Sequence, residues 1–107
     1  MSDLVLKSSS GKDITTSLIV ADVFGKLHRH VLRDIKQLAC SDDFRESNFG
    51  LSSYTSSQGK KYPMYEMTKD GFSFLVMGYT GVKAGEFKEK FINEFNKREA
   101  LLKNDDY

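Results

Sequence analysis

The sequence is poor in several residue types, and each shortage excludes a class of protein. Cys40 is the only cysteine, so neither an intrachain disulfide nor a cysteine-based zinc site can form. No run of apolar residues approaches the roughly 18 that a membrane-spanning helix requires, so we expect no membrane association. The formal net charge is only +1, so the overall charge does not indicate a nucleic-acid partner. A cytoplasmic protein is the simplest interpretation.

The composition indicates one small folded domain. The chain has 107 residues, of which 39% are hydrophobic, and it includes eight phenylalanines and five tyrosines. This apolar content is enough for a modest core and argues against disorder. We expect residues 1–107 to form a single domain, with a strand and turn in residues 1–13 and a frayed tail in residues 104–107. Residues 4–6 are expected to pair with residues 14–15 as a small hairpin.

Residues 16–40 predict two short helices with a tight break between them, as in a helix-turn-helix. Thr16 or Ser17 provides an N-cap, and Gly25 stands where the end of a helix favours a positive φ angle. The second helix is predicted over residues 28–39. Apolar residues at three- and four-residue steps predict the buried side of the pair, which consists of Val20, Val23, Phe24, Val31, Leu32, Ile35 and Leu38.

The other side of the second helix is basic. Residues 26–36 contain four lysines or arginines, two histidines and a single acid, Asp34. A helix in the major groove needs long donors on its outer face, because arginine pairs with guanine edges and lysine neutralises phosphates. The alternative is an ordinary solvated face with an internal pair to Asp34. The candidates are Arg29, His30 and Arg33 for base edges or nearby phosphates, and Lys26, His28 and Lys36 mainly for phosphates.

A β-hairpin is predicted after a polar connector over residues 41–48. Residues 49–55 and 62–67 alternate in polarity on either side of a loop with a glycine. Pro63 cannot donate to a strand ladder, so its nitrogen is expected to face an edge. The hairpin would act as a wing that lays its tip on DNA through Gln58, Lys60 and Lys61. The alternative is a plain exposed turn in which lysine serves solubility.

Two further helices are predicted in the C-terminal half. Thr68 caps the first, and its buried residues are expected to be Phe72, Leu75, Val76 and Tyr79. The last helix is predicted to begin near residues 80–82 and to end near Lys103. Its apolar side, marked by Phe87, Phe91 and Phe95, either belongs to the core alone or also meets a second copy of the chain. The candidate dimer residues are Phe95, Leu101 and Leu102.

No constellation in the sequence predicts catalysis. His28 and His30 have no further ligands at metal-site spacing, and Cys40 lies at the end of a predicted helix, where the dipole disfavours a thiolate. No pair of carboxylates stands out for acid–base chemistry, and no phosphate-binding or dinucleotide-binding glycine pattern occurs. We therefore expect no enzymatic activity, no metal site and no cofactor.

Three blocks of residues, in a fixed order and spacing, resemble the phage regulatory protein Rha family. The first contains VADVFGK and the third contains MTKDGF and MGYTG. The blocks are residues 20–26 with 28 and 31–35, then 48–49, 53–54, 58–60 and 62–65, and then 67–72, 75, 77–81, 83–84, 87–88, 92 and 95–96. The resemblance spans roughly residues 14–100, which is nearly the whole chain.

The resemblance implies a phage- or prophage-encoded regulator of lytic or lysogenic growth in a bacterial cell. Members often continue into a domain of the antirepressor type, for which we expect no counterpart within these 107 residues. We expect an α+β, winged helix-turn-helix-like domain with a β-hairpin wing and a long C-terminal helix. It would bind double-stranded DNA as a homodimer. The alternative is an antirepressor-type protein that binds a repressor or another regulatory protein.

Overall fold

The computed structural model describes the backbone of residues 4–105 and the side chains of residues 4–101. The predicted α+β class is confirmed, because five helices pack with one antiparallel sheet. In chain order the elements are β1 (Leu6–Lys7), β2 (Asp13–Thr16), α1 (Ser17–Phe24), α2 (His28–Lys36), α3 (Asp42–Asn48), β3 (Phe49–Thr55), β4 (Lys61–Met67), α4 (Lys69–Val76) and α5 (Val82–Asp105).

The sheet has the order β1-β2-β4-β3, with every neighbouring pair antiparallel. The predicted N-terminal pairing is confirmed, since Leu6 lies opposite Ile14. The predicted hairpin is also present, because β3 and β4 pair along their whole length from Phe49 and Met67 outwards to the loop. β2 meets only the last residues of β4, so the distal part of the hairpin has no third strand beside it. The hairpin therefore projects from the body of the domain.

Pro63 lies at a position where the strand pairing does not require a backbone N–H. The amide of Tyr65 donates away from β3, to Oγ of Ser17 at 3.0 Å. Pro63 is two residues earlier on the same strand, so its nitrogen also points away from β3. No strand in the described part of the chain pairs with that edge at Pro63, as the sequence predicts.

The helix pair α1–α2 has the predicted break. Oγ1 of Thr16 accepts a hydrogen bond from the amide of Ile19 at 3.2 Å, which caps α1. Gly25 ends α1 with a φ of 67°, a left-handed conformation that glycine adopts without strain. Three residues, 25–27, separate the two helices. The loop is short enough to hold α2 across α1 in a fixed orientation.

The α2 helix ends at Lys36, earlier than the predicted end at Ala39. The guanidinium of Arg45 donates to the carbonyl oxygen of Ile35 at 2.7 Å and to that of Leu38 at 2.8 Å. These two bonds hold the backbone on both sides of the helix end, one in the last turn and one two residues beyond Lys36. With these bonds from Arg45, the helix ends at Lys36, two residues before the last apolar residue of the periodic pattern, Leu38.

The predicted connector over residues 41–48 is wrong, because most of it forms α3. Oγ of Ser41 accepts from the amide of Phe44 at 3.1 Å, and Asp42 and Asp43 occupy the first turn, where acids are favourable. α3 has no buried residue and shows no apolar stripe. Phe44 nonetheless packs on Phe74 of α4, with ring centroids 5.1 Å apart.

An aromatic core joins α1, α4 and α5. The rings of Phe72 and Phe91 are stacked with centroids 4.4 Å apart, and both residues are fully buried. The ring of Phe24 packs beside both of them, with its centroid 6.3 Å from that of Phe72 and 5.9 Å from that of Phe91. The predicted buried residues of α4, including Tyr79 just beyond it, are all confirmed.

The apolar side of the long α5 helix packs into the core and is not left exposed to solvent at Phe91 and Phe95. Phe95, a candidate dimer residue, is only 4% exposed and lies 6.4 Å from the ring of Phe72. Its side chain therefore fills the core of the subunit and offers a second copy little surface. α5 continues to Asp105, so it includes part of the predicted tail, while residues 106–107 lie outside the described range.

Candidate nucleic-acid interface

Three long cationic side chains share one face of α2. Because a helix turns about 100° per residue, Arg29, Arg33 and Lys36 fall within an arc of about 60°. All three are exposed, whereas Val31 and Ile35 on the opposite side are fully buried. The stripe on the buried side fixes the rotation of the helix, so the cationic face points to solvent.

The N-terminus of α2 adds a favourable field for anions. No side chain in the described part of the chain caps it, because Leu27 occupies the N-cap, and no acid lies in the first turn. The start of the helix beside Arg29 therefore carries no competing carboxylate. This arrangement is compatible with a phosphate group next to the cationic face.

His28, a predicted phosphate contact, also takes part in the packing of the domain. Its Nε2 lies 2.8 Å from Oγ of Ser17, which is fully buried and also accepts from the amide of Tyr65. The hydroxyl of Ser17 thus joins the start of α2 to α1 and β4. Burial lowers the pKa of His28 below its usual range, because desolvation disfavours the charged ring.

This lowered pKa predicts a pH-dependent stability. The unfolded chain takes up a proton at His28 near pH 6.5, whereas the folded chain takes it up only at lower pH. The contribution of neutral His28 is therefore complete above about pH 6.5 and is lost as the pH falls towards the folded pKa. We expect the urea midpoint of the His30→Gln variant, in which His28 is the only histidine, to fall between about pH 7.5 and pH 5.5. A flat midpoint over this range would contradict the burial of His28.

Two tyrosines of the hairpin complete one side of the α2 face, and sequence reasoning missed both. Tyr54 and Tyr62 lie directly opposite each other on β3 and β4, with ring centroids 5.7 Å apart. The ring of Tyr54 also meets His28 edge-on at 5.7 Å. The alternation of side chains along a strand could have identified them. Tyr54 lies on the opposite face of β3 from the buried Phe49, and Tyr62 is its partner on β4.

The tip of the hairpin carries the other predicted contacts. Gln58, Lys60 and Lys61 are all exposed. Gly59 has a φ of 82°, and the amide of Ser56 donates to the carbonyl oxygen of Lys60 at 2.8 Å, so the tip is a tight hydrogen-bonded turn. The Tyr54–His28 contact brings the hairpin beside the start of α2, with its tip extending farther out.

Lys26 lies on the other side of α2 from the hairpin. Its ammonium is 4.3 Å from the centre of the Tyr79 ring, a cation–π contact. The hydroxyl of Tyr79 donates to Asp34 of α2 at 3.1 Å, and burial, together with this carboxylate, raises the pKa of Tyr79. Asp34 also lies 3.7 Å from the guanidinium of Arg33, which is itself 56% exposed and so remains available to a ligand.

The remaining predicted residues, His30, Leu101 and Leu102, differ in their exposure. His30 is half-buried at the edge of the cationic face. Leu101 is 58% exposed on α5, while the side chain of Leu102 lies outside the described residues.

Within residues 4–105, no group of three or more histidine, cysteine or acidic side chains has the geometry to hold a metal ion. No helix in that range has both the length and the apolar character that crossing a bilayer requires.

Comparison with known proteins identifies the family. The family model described as phage regulatory protein Rha matches residues 15–100. The chain belongs to this family. The match covers α1, α2, the hairpin, α4 and most of α5, so the cationic face lies wholly within the family domain. No solved structure gives a significant match.

Relatives of this Rha-family chain come from phages and bacteria. An uncharacterised protein of Haemophilus influenzae is 44% identical over 97 residues, covering 88% of this chain and 56% of that protein. A 22.8 kDa protein of Salmonella phage P22 is 39% identical over 102 residues, covering 92% and 51%. A Bacillus subtilis protein derived from the SPbeta prophage, with an antirepressor name, is 26% identical over 104 residues, covering 94% and 41%. The chain spans about half the length of these curated relatives.

Proposed function

We propose that this Rha-family chain is a transcriptional regulator that binds double-stranded DNA through a winged helix-turn-helix-like surface. α2 enters the major groove with Arg29 and Arg33 towards base edges and Lys36 towards phosphates. The observation that carries the proposal is the exposed cationic face of α2, opposite a fully buried stripe and beside a projecting hairpin.

The electrostatics of this surface fit a duplex better than the net charge of +1 suggests. Lys60 and Lys61 are exposed at the tip of the hairpin, and they extend the cationic surface beyond α2. Tyr54 and Tyr62 lie between the helix and the tip, where tyrosine hydroxyls can donate to backbone phosphates. Recognition helix, tyrosine pair and hairpin tip then follow one continuous path along the DNA.

A single module of this size provides few base contacts, so we propose that two copies bind two half-sites. Leu101, exposed near the end of α5, is the described candidate for the contact between copies. Sedimentation equilibrium of the free chain and of its complex with a duplex tests this stoichiometry. Two chains per bound duplex are expected, and a single chain per duplex would contradict it.

The function is tested by titrating a labelled duplex of mixed sequence with the full chain at a series of salt concentrations. Binding is expected at low salt, and the logarithm of the association constant should fall linearly with the logarithm of salt concentration. The absence of binding even at the lowest salt would refute the proposal.

The same titration tests the hairpin as a wing. Lys60→Ala combined with Lys61→Ala should weaken binding to all sequences alike and should reduce the salt slope by about two, roughly one for each lost phosphate contact. Lys97→Ala, an exposed lysine on α5, is the control and should leave the slope unchanged. An unaltered slope in the double variant would remove the hairpin tip from the interface.

A second candidate function is the binding of a repressor or another regulatory protein, as an antirepressor does. The antirepressor name of the Bacillus subtilis relative favours it. Co-purification of the tagged chain with a repressor from a lysogenic host, without duplex binding at low salt, would make this the better account. Duplex binding without a repressor would exclude it as the primary function.

A further inference from the structure

A broad groove lies on the side of α2 that faces away from the hairpin. It is formed by the end of α1, the loop from α4 to α5, and the first turns of α5, and it encloses about 640 Å³. None of the tyrosines or lysines of the hairpin lines it, and neither does Arg29 or Arg33. The groove is therefore separate from the surface proposed to bind DNA, apart from Lys26 at one end.

The floor of the groove is apolar. The rings of Phe24 and Phe87 meet edge-on with centroids 5.6 Å apart, and Val23 and Ala84 line the floor beside them. All four side chains are only partly buried. Near the groove, Met77 and Val82 are 74% and 83% exposed, the two highest values among the large hydrophobic residues of the described chain. Such a contiguous apolar region on a small domain is typical of a surface that binds another molecule.

The rim of the groove is positively charged. Among the residues that the structure describes, its ionisable lining residues are Lys26, Lys83 and Tyr79, and none is an acid. Neither lysine forms an ion pair within residues 4–101. Asp34, which accepts the hydroxyl of Tyr79, pairs with Arg33 and does not belong to the lining. An apolar floor between two unpaired cations is complementary to an anionic ligand with an apolar anchor.

The chemistry of the groove distinguishes between possible occupants. A DNA backbone would satisfy the lysines, but it would leave the phenylalanine floor without an apolar partner. We propose that this groove binds a short acidic segment of a partner protein, in which a leucine or an aromatic residue occupies the floor and flanking aspartate or glutamate residues pair with Lys26 and Lys83. Binding in this groove does not require DNA, so the groove and the α2 face can be tested separately, and either proposal can fail alone.

The test is a selection of random linear peptides displayed on phage particles against the immobilised full chain, with no DNA present. Peptides from the final round are synthesised and titrated against the wild-type chain, a Lys83→Glu variant and a Lys97→Glu variant. Lys83 and Lys97 are both exposed on α5, so the two variants carry the same change of charge and differ only in whether they alter the groove. Circular dichroism confirms that each variant is folded.

The proposal expects the selected peptides to be enriched in an acidic residue beside leucine or an aromatic residue. Lys83→Glu should weaken their binding by about tenfold or more, because it places like charges together, and Lys97→Glu should not change it. Peptides without acidic residues, or peptides that bind the Lys83→Glu variant as tightly as wild type, would overturn the proposal. A Lys83→Glu variant that loses duplex binding while no peptide is enriched would assign the groove to DNA, and concentration-dependent self-association abolished by Lys83→Glu would assign it to a second copy.

Discussion

Replacing Phe72 with alanine is expected to lower the free energy of unfolding by about 3–5 kcal/mol. Phe72 is fully buried, and its ring contacts Phe24, Phe91 and Phe95. Its removal leaves a cavity at the point where α1, α4 and α5 meet, and the remaining rings cannot collapse into it without moving whole helices. Urea unfolding followed by far-ultraviolet circular dichroism measures the loss.

The matched control is Phe44→Ala. Phe44 is only partly buried and packs beside the core, on Phe74 of α4. Its removal should cost less than half of what the Phe72 variant loses. Equal losses for the two variants would contradict the position of the core, and a fully unfolded Phe72→Ala chain would mean that the domain has less stability than the predicted loss.

Replacing Arg33 with alanine is expected to weaken binding to the preferred duplex by about 1–3 kcal/mol and to relax sequence preference at one base position. Arg33 lies at the centre of the exposed side of α2, and its one ion pair within residues 4–101, with Asp34 at 3.7 Å, is partly exposed and contributes little. The effect on folding should therefore be small, so a change in affinity reports the interface. Fluorescence anisotropy against a preferred and a mixed duplex separates the two effects.

Gln37→Ala provides the control for Arg33. Gln37 is also exposed, immediately beyond the last residue of α2, and carries no charge. It should leave both affinity and preference nearly unchanged. Equal losses on the preferred and the mixed duplex would assign Arg33 to a phosphate, whereas wild-type binding by a folded Arg33→Ala chain would remove it from the interface.

The local features of the helices can be read from the sequence because short-range chemistry determines them. Thr16, Gly25 and Thr68 act at the ends of helices that their own neighbours form, and each occupies the expected position. The α3 helix is harder to predict, because none of its seven residues is fully buried and the helix produces no periodic signal. Ser41 and its two following acids are its only local mark, and the same residues are compatible with the end of the preceding helix.

The roles of individual side chains in the candidate interface depend on contacts between distant residues. The hydrogen bond of His28 to Ser17 spans 11 residues, and that of Tyr65 to Ser17 spans 48, so neither leaves a pattern in the sequence. The contact of Lys26 with Tyr79 arises in the same way, from two interhelical loops that are far apart in the chain. The helical period alone predicts the exposed face of Arg29, Arg33 and Lys36, and this part of the candidate site needs no tertiary information.

A selection from random duplexes shows whether α2 reads a DNA sequence. The full chain is incubated with a library of random duplexes, and the retained fragments are sequenced after several rounds. We expect an enriched motif with two-fold symmetry, containing guanines for the arginines and half-sites about one helical turn apart. Failure to retain any duplex at low salt, or retention without an enriched motif, would contradict it.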